Sequence, residues 1–268
     1  MGCATNERFV TLRSGGRIWA VGAIHGEAER LAELHAAIEE RFRSGDRIVY
    51  LGNYLGLGTA VAATLDELVA FRSALLAVPH MNVCDVAYLR GSQEEMWQKL
   101  FQLHLSVEPA SVLRWMLERG VRETLAAYGW DAGDAEGRVS NGAQEIARWT
   151  NEIRARMSLH PGHQELLGSV RQAAFTDDGA LLFVNAGVDP TRPIDAQRDA
   201  FWWGSEQLEA LTPPFAGFKK IIRGHDPSQG GVSLDDYVAT VDGGAGYGGS
   251  LAAACFDSEG RALDRIEV

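Results

Sequence analysis

Hydrophobic and polar positions follow two alternating rhythms along the first ninety residues. Arg17–Gly22 (RIWAVG) is a short apolar run closing on glycine, the pattern of a strand that enters a turn. From Glu27 to Phe42 the apolar residues Ala28, Leu31, Ala32, Leu34, Ile38 and Phe42 fall at helical spacing. Arg47–Leu51 predicts a second buried strand, Val61–Val78 a helix stopped by Pro79, and Val83–Leu89 a third strand. Strands and helices in this alternation predict an α/β core with parallel strands.

From about Glu94 to Gly168 the pattern is mostly helical. Trp97, Leu100, Phe101, Leu113, Trp115, Met116 and Leu117 recur at helical intervals, as do Ile146, Trp149 and Ile153. Within this stretch Trp130–Gly142, rich in Gly and Asp, reads as a loop. Strands resume at Ala180–Val184, Lys219–Arg223, Tyr237–Val241 and Ser250–Phe256, and Asp235-Asp236 reads as a hairpin link. No repeat of fixed period and no linker composition interrupts the chain. The expected organisation is one domain over 17–268, a helical insertion at about 94–168, and an N-terminal extension over 1–16.

Composition narrows the partners. The 268 residues carry 25 Lys and Arg against 36 Asp and Glu, a formal charge of −11. Such a surface repels phosphate backbones and argues against nucleic acid. No apolar run is long enough to span a membrane, and the first residues hold no apolar signal segment. Gly2-Cys3 is similar to an acylation start, but Asn6 stands where that pattern wants Ser or Thr, so an ordinary flexible end is expected. Cys3, Cys84 and Cys255 are too few and too scattered for a disulfide framework, and the cytoplasm is the expected location.

The chemically informative residues sit where the strands end, which is where open α/β sheets place their sites. In order they are Gly22-Ala23-Ile24-His25-Gly26, Leu51-Gly52-Asn53-Tyr54-Leu55-Gly56-Leu57-Gly58, Leu89-Arg90-Gly91-Ser92-Gln93-Glu94, Phe183-Val184-Asn185-Ala186-Gly187 and Arg223-Gly224-His225. The series resembles the calcineurin-like metallophosphoesterase superfamily, and within it the bacterial serine/threonine protein phosphatase and diadenosine tetraphosphatase group. That group shows G-D-x-H-G, G-D-x-x-D-R-G, R-G-N-H-E, H-A-G and G-H in the same order. Trp115–Gly129 is similar to its W-L-x-N-G-G-x-x-T-L-x-x-Y-G segment, and Val241–Gly249 to its D-T-G-A-V-Y-G-G. The resemblance runs from about Arg17 to Phe256. It implies a four-layer α/β/β/α sandwich, two mixed sheets flanked by helices, with a mostly helical insertion.

The resemblance also implies a reaction, metal-assisted phosphoester hydrolysis, in which two divalent ions about 3.5–4 Å apart hold phosphate and nucleophile. Their mutual repulsion is about 18 kcal/mol at an effective dielectric near 20, and anionic ligands must offset it. Carried over position by position, the family's first Asp is Ala23, its bridging Asp is Asn53, its Asn is Ser92 and its fourth-block His is Asn185. Only His25 and His225 keep a ligand type. The family's proton-donating His is Gln93, which has no titratable proton near neutral pH. Its phosphate-clamping Arg is Leu57, the Asp beside that is Gly56, and a second phosphate Arg falls near Gly204. Arg90 is the surviving phosphate contact.

Glycines at the motif turns persist while ligands, acid and clamp are lost together. The expected protein is a pseudophosphatase: a non-catalytic regulatory or binding protein without cofactor. It would take a protein partner, phosphorylated in one version, through Arg90, Trp202-Trp203 or the helical insertion. The alternative is a weak phosphoesterase with one rearranged divalent ion (Mn, Fe or Zn) on His25, His225 and one of Asp226, Asp242 or Glu27. A nucleotide binder is a third reading. Asn53, Asn185 and Ser92 are expected to hydrogen-bond one another. The Gly243–Gly249 run reads as a turn. Pro161 makes a loop, rather than a metal pair, the expected setting of His160 and His163. His35, His80 and His104 have no identifiable partners.

Overall fold

The computed structural model describes residues 8–197, 199–204, 208 and 211–268. Gly2, Cys3 and Asn6 therefore lie outside the described residues. One sheet has the order β10-β9-β2-β3-β4: β2 (Ile18–Val21), β3 (Arg47–Tyr50) and β4 (Val86–Tyr88) run parallel, while β9 (Ala252–Phe256) is antiparallel to both β2 and β10 (Ala262–Glu267). The crossovers between the parallel strands are α1 (Ala28–Glu39) and α2 (Val61–Leu76). The other sheet has the order β1-β5-β6-β7-β8, from Phe9–Leu12, Ala173–Thr176, Leu181–Val184, Lys220–Arg223 and Val238–Thr240.

The alternation of side chains along each strand explains why two sheets stack. In β2, Trp19 and Val21 pack with the helices, while Ile18 and Ala20 enter a core shared with Leu181 and Phe183 of β6. Leu182 and Val184 of β6 turn to the opposite face, against Phe201 and Trp202 of the short helix α9 (Ala200–Trp203). Both sheets are therefore buried on two faces, which accounts for their near-continuous apolar runs.

Between β4 and β5 lies the helical insertion: α3 (Ser92–Leu100), α4 (Pro109–Met116), α5 (Arg122–Ala127), α6 (Ala132–Ser140), α7 (Ala143–Met157) and α8 (His163–Ser169). It joins the same core as α1 and α2, through Trp97, Leu113, Trp149 and Ile153.

Three sequence expectations are corrected. The loop expected over Trp130–Gly142 contains α6, capped by the Asp131 carboxylate, which accepts from the Gly133 amide at 2.7 Å. Its Ala132, Ala135 and Val139 are buried, so packing overrides two poor helix formers, Gly133 and Gly137. β7 and β8 are parallel, so Asp235-Asp236 does not link them as a hairpin; it lies within a turn closed by a single antiparallel bridge from Ser233 to Thr240. Finally, the stretch read as an N-terminal extension supplies β1, paired in parallel with β5.

Candidate functional site

The motif loops lie at the C-terminal ends of β2, β3, β4, β6 and β7, and backbone hydrogen bonds lace them together across both sheets. The Ile24 and His25 amides donate to the Asn53 carbonyl at 3.0 and 2.8 Å, and Ala23 donates to the Gly224 carbonyl at 2.9 Å. The Gly224 and His225 amides both donate to the Asn185 carbonyl. His25, Asn53 and Leu57 adopt φ of +53°, +59° and +57°. For Leu57 this region is strained, and the loop around it must hold the residue there.

Glu94 makes the tightest connection. Its carboxylate accepts from the Asn53, Tyr54 and Gly91 amides at 2.8 Å each and from Leu55 at 3.3 Å, joining the second motif loop to the third. Burial pushes the Glu94 pKa up, and the four amides pull against that. A carboxylate three residues after Gly91 is the sequence signal for this role of Glu94.

The side chains at the motif positions form a buried, mostly neutral floor. Ala23, His25, Asn53, Ser92, Gln93 and Asn185 are all buried, the two asparagines completely. Asn53 Oδ1 accepts from Ser92 Oγ and from the Gln93 amide, both at 3.2 Å. The expected mutual bonding thus holds for Asn53 and Ser92 but not for Asn185, whose Nδ2 donates to the Leu51 carbonyl at 2.7 Å. Gln93 Nε2 donates to the Arg119 carbonyl at 2.7 Å, anchoring the insertion to this loop. Its amide occupies the space that a Cβ on Gly56 would need, which explains a glycine there.

His25 and His225 stand with ring centroids 6.1 Å apart. Neither nitrogen of His25 closes a hydrogen bond. Burial first, and then His225, lowers its pKa to about 4, against weaker opposition from Asp242 and the Leu55 backbone. Tyr247 covers it, with ring centroids 5.8 Å apart. His225 Nδ1 lies 3.3 Å from Asp242 Oδ2, an oxygen that also accepts from the Asp226 amide at 2.8 Å. Burial raises the Asp242 pKa, but hydrogen bonds from His225 and the Asp226 and Gly244 amides outweigh it and hold the carboxyl below its usual value. The Asp226 side chain turns away to Ser228 and Arg223. Leu57 is half-buried beside Gly246, and Gly204 sits near Ala186 and Pro227 with no charged neighbour among its closest atoms. The Gly243–Gly249 stretch is a turn, as expected.

Arg90 is already engaged. Its Nη1 donates to Glu95 Oε2 at 3.0 Å, and its guanidinium lies 5.9 Å from the Trp202 ring centroid. Beyond it an aromatic rim is exposed: Trp115 of the insertion meets Trp203 edge to face at 5.6 Å, with the Arg119 guanidinium 4.6 Å from the Trp115 ring.

The chain is similar over 98% of its length to a solved structure of a candidate diadenosine tetraphosphatase, of which it covers 98%, at 18% identity and a TM-score of 0.57. This likeness shows the shared fold, two mixed sheets flanked by helices. Over 98% of its length the chain is also similar to the cold-active protein tyrosine phosphatase of a psychrophilic Shewanella, covering 82% of it at 13% identity and a TM-score of 0.50. A further structure of a cold-active protein tyrosine phosphatase gives 13% identity, 80% coverage and a TM-score of 0.53. No protein-family model matches the sequence, and no curated protein matches it.

The six ligand positions that the sequence resemblance implies offer two imidazoles, two amides, a hydroxyl and a methyl group. That donor set does not fit a binuclear centre, because it contains no anion to offset the repulsion of two dications. Among the described residues, one group of His, Cys, Asp and Glu ligand atoms is close enough to share an ion: Asp66, His160 and His163. It lies outside the motif loops, where Pro161 predicts a loop rather than a metal pair for the two histidines.

Proposed function

We propose that this chain is a phosphatase-like pseudoenzyme, a binding or regulatory protein built on the metallophosphoesterase fold. The observation that carries this reading is the absence of any carboxylate from the six ligand positions, together with an amide, Gln93, where the proton donor would stand. His25 adds no charge at neutral pH, since its imidazole is held neutral. Leu57 in place of a guanidinium leaves a transferred phosphoryl group without its clamp. The partner in this reading is a protein, phosphorylated in its stronger form, and the exposed rim of Trp115, Trp203 and Arg119 beside Arg90 is where it would bind. Aromatic and arginine side chains are the residues that dominate such interfaces. Glu95 competes with a phosphate for Arg90, so the rim supplies more of the affinity than the guanidinium does.

A weak single-ion phosphoesterase on His25, His225 and Asp242 is less favoured. Asp242 is committed to His225 and the Asp226 amide, and the three do not converge as one ligand group. The deciding experiment is hydrolysis of a chromogenic phosphate monoester by the purified protein with added manganese. The expected result is no metal-dependent turnover. Turnover that requires manganese and disappears on His25→Ala would overturn the proposal; bound metal without turnover would not.

A further inference from the structure

Asp66 lies on α2, in the crossover between two strands of the core, whereas His160 and His163 flank Pro161 in the insertion. The His163 ring is fully buried. Its Nε2 lies 3.0 Å from Asp66 Oδ1, and its Nδ1 lies 2.9 Å from the Tyr128 hydroxyl. His160 stacks on His163 with ring centroids 4.9 Å apart and 22° between planes, and it too contacts Tyr128. One ligand atom from each of Asp66, His160 and His163 lies within 4.8 Å of the other two.

The local backbone builds this arrangement. The His160 amide donates to the Met157 carbonyl at 3.0 Å, continuing the last turn of α7, and α8 then opens at His163. Gly162 between them has φ of +86°, and a Cβ there would come within 2.9 Å of Val69. Glycine thus lets the loop lie directly on α2, one turn from Asp66. The loop expected around Pro161 is present, and it brings the two rings together instead of keeping them apart.

We propose that Asp66, His160 and His163 form a binding site for one divalent transition metal of the zinc class, with three protein ligands and an open fourth position. Two imidazoles and one carboxylate are the donors that such ions prefer, and three protein ligands with one open place is a recurrent zinc arrangement. Without the ion, His163 Nε2–H donates to Asp66 and Nδ1 accepts from Tyr128. Binding shifts the tautomer: the proton moves to Nδ1, which then donates to the Tyr128 oxygen, and Nε2 is freed to ligate. No net proton is released from the ring. Burial holds the His163 pKa below its usual value despite Asp66. Asp66 is exposed and His160 half-buried, which gives the ion a path from water. The ion would tie the insertion to the core, and the site shares no residue with the former cleft.

The test uses the full-length protein, stripped with a chelator and titrated with zinc by calorimetry. One equivalent is expected to bind and to raise the thermal midpoint. Asp66→Asn and His160→Ala, both at accessible positions, should each weaken binding by roughly tenfold or more and abolish the shift, with unchanged circular dichroism. Tyr128→Phe should weaken it by about 10–100-fold through loss of the orienting partner. Failure to bind an equivalent of zinc, or equal affinity in both ligand variants, would overturn the site. So would loss of the equivalent on His25→Ala, which would place the ion in the former cleft.

Discussion

His35, on the buried face of α1, stacks on Phe71 at 3.8 Å between centroids, with Nδ1 at 2.5 Å from Glu67 and Nε2 at 2.8 Å from the Tyr50 hydroxyl. A charged imidazole would pair well with Glu67, yet burial wins and lowers the pKa to about 4. The unfolded chain therefore takes up a proton near pH 6.5 that the folded one refuses until about pH 4. Stability from this group is complete above pH 6.5 and is lost as the pH falls toward 4, by about 2 kcal/mol between pH 7 and 4.5. Urea unfolding across that range should show the decline, and His35→Gln should flatten it by that amount. An unchanged slope in the variant would assign the acid sensitivity elsewhere. The partners of His35 were not legible in the sequence, because Glu67 and Tyr50 reach it from other elements. The motif positions were legible, because each follows its strand directly. Asp66 was not, being 97 residues from His163 with no local pattern to connect them.

Between elements, one carboxylate joins the two sheets at their edge. Asp85, just before β4, is fully buried and pairs with Arg13, just after β1, at 2.5 Å and with Arg47 of β3 at 3.5 Å. Arg47 is itself buried, and burial lowers its pKa. Asp85→Ala would leave Arg47 desolvated and unpaired, so a loss of about 3–5 kcal/mol is expected in urea unfolding. A loss under 1 kcal/mol would show that water, not Asp85, satisfies Arg47. At this scale the parallel strands and long helices were readable from periodicity. α6 was hidden by its glycines, and β1 and β5 end in no motif loop that would mark them as strands.

Across the whole molecule, backbone hydrogen bonds lace the motif loops together independently of the side chains at their tips. On the proposed reading, Ala23→Asp, Asn53→Asp, Leu57→Arg, Ser92→Asn, Gln93→His and Asn185→His made together should confer divalent-ion binding at these loops, read as manganese per chain against the parent. No gain in a folded variant would mean that the loops no longer hold ligand geometry. The general architecture was legible because motif order reports strand order. The two mixed sheets implied by the resemblance are both present, the second mixed through its antiparallel β5–β6 pair.

Among the described residues, β1 sits at the end of its sheet and pairs there with β5 alone. A shortened chain starting at Arg17 would strip that cover, baring a row of unsatisfied amides and carbonyls along β5 and the apolar surface beneath Val10 and Leu12. Such an uncapped edge recruits a neighbour's strand. Trimming these first residues would leave a fold prone to aggregate.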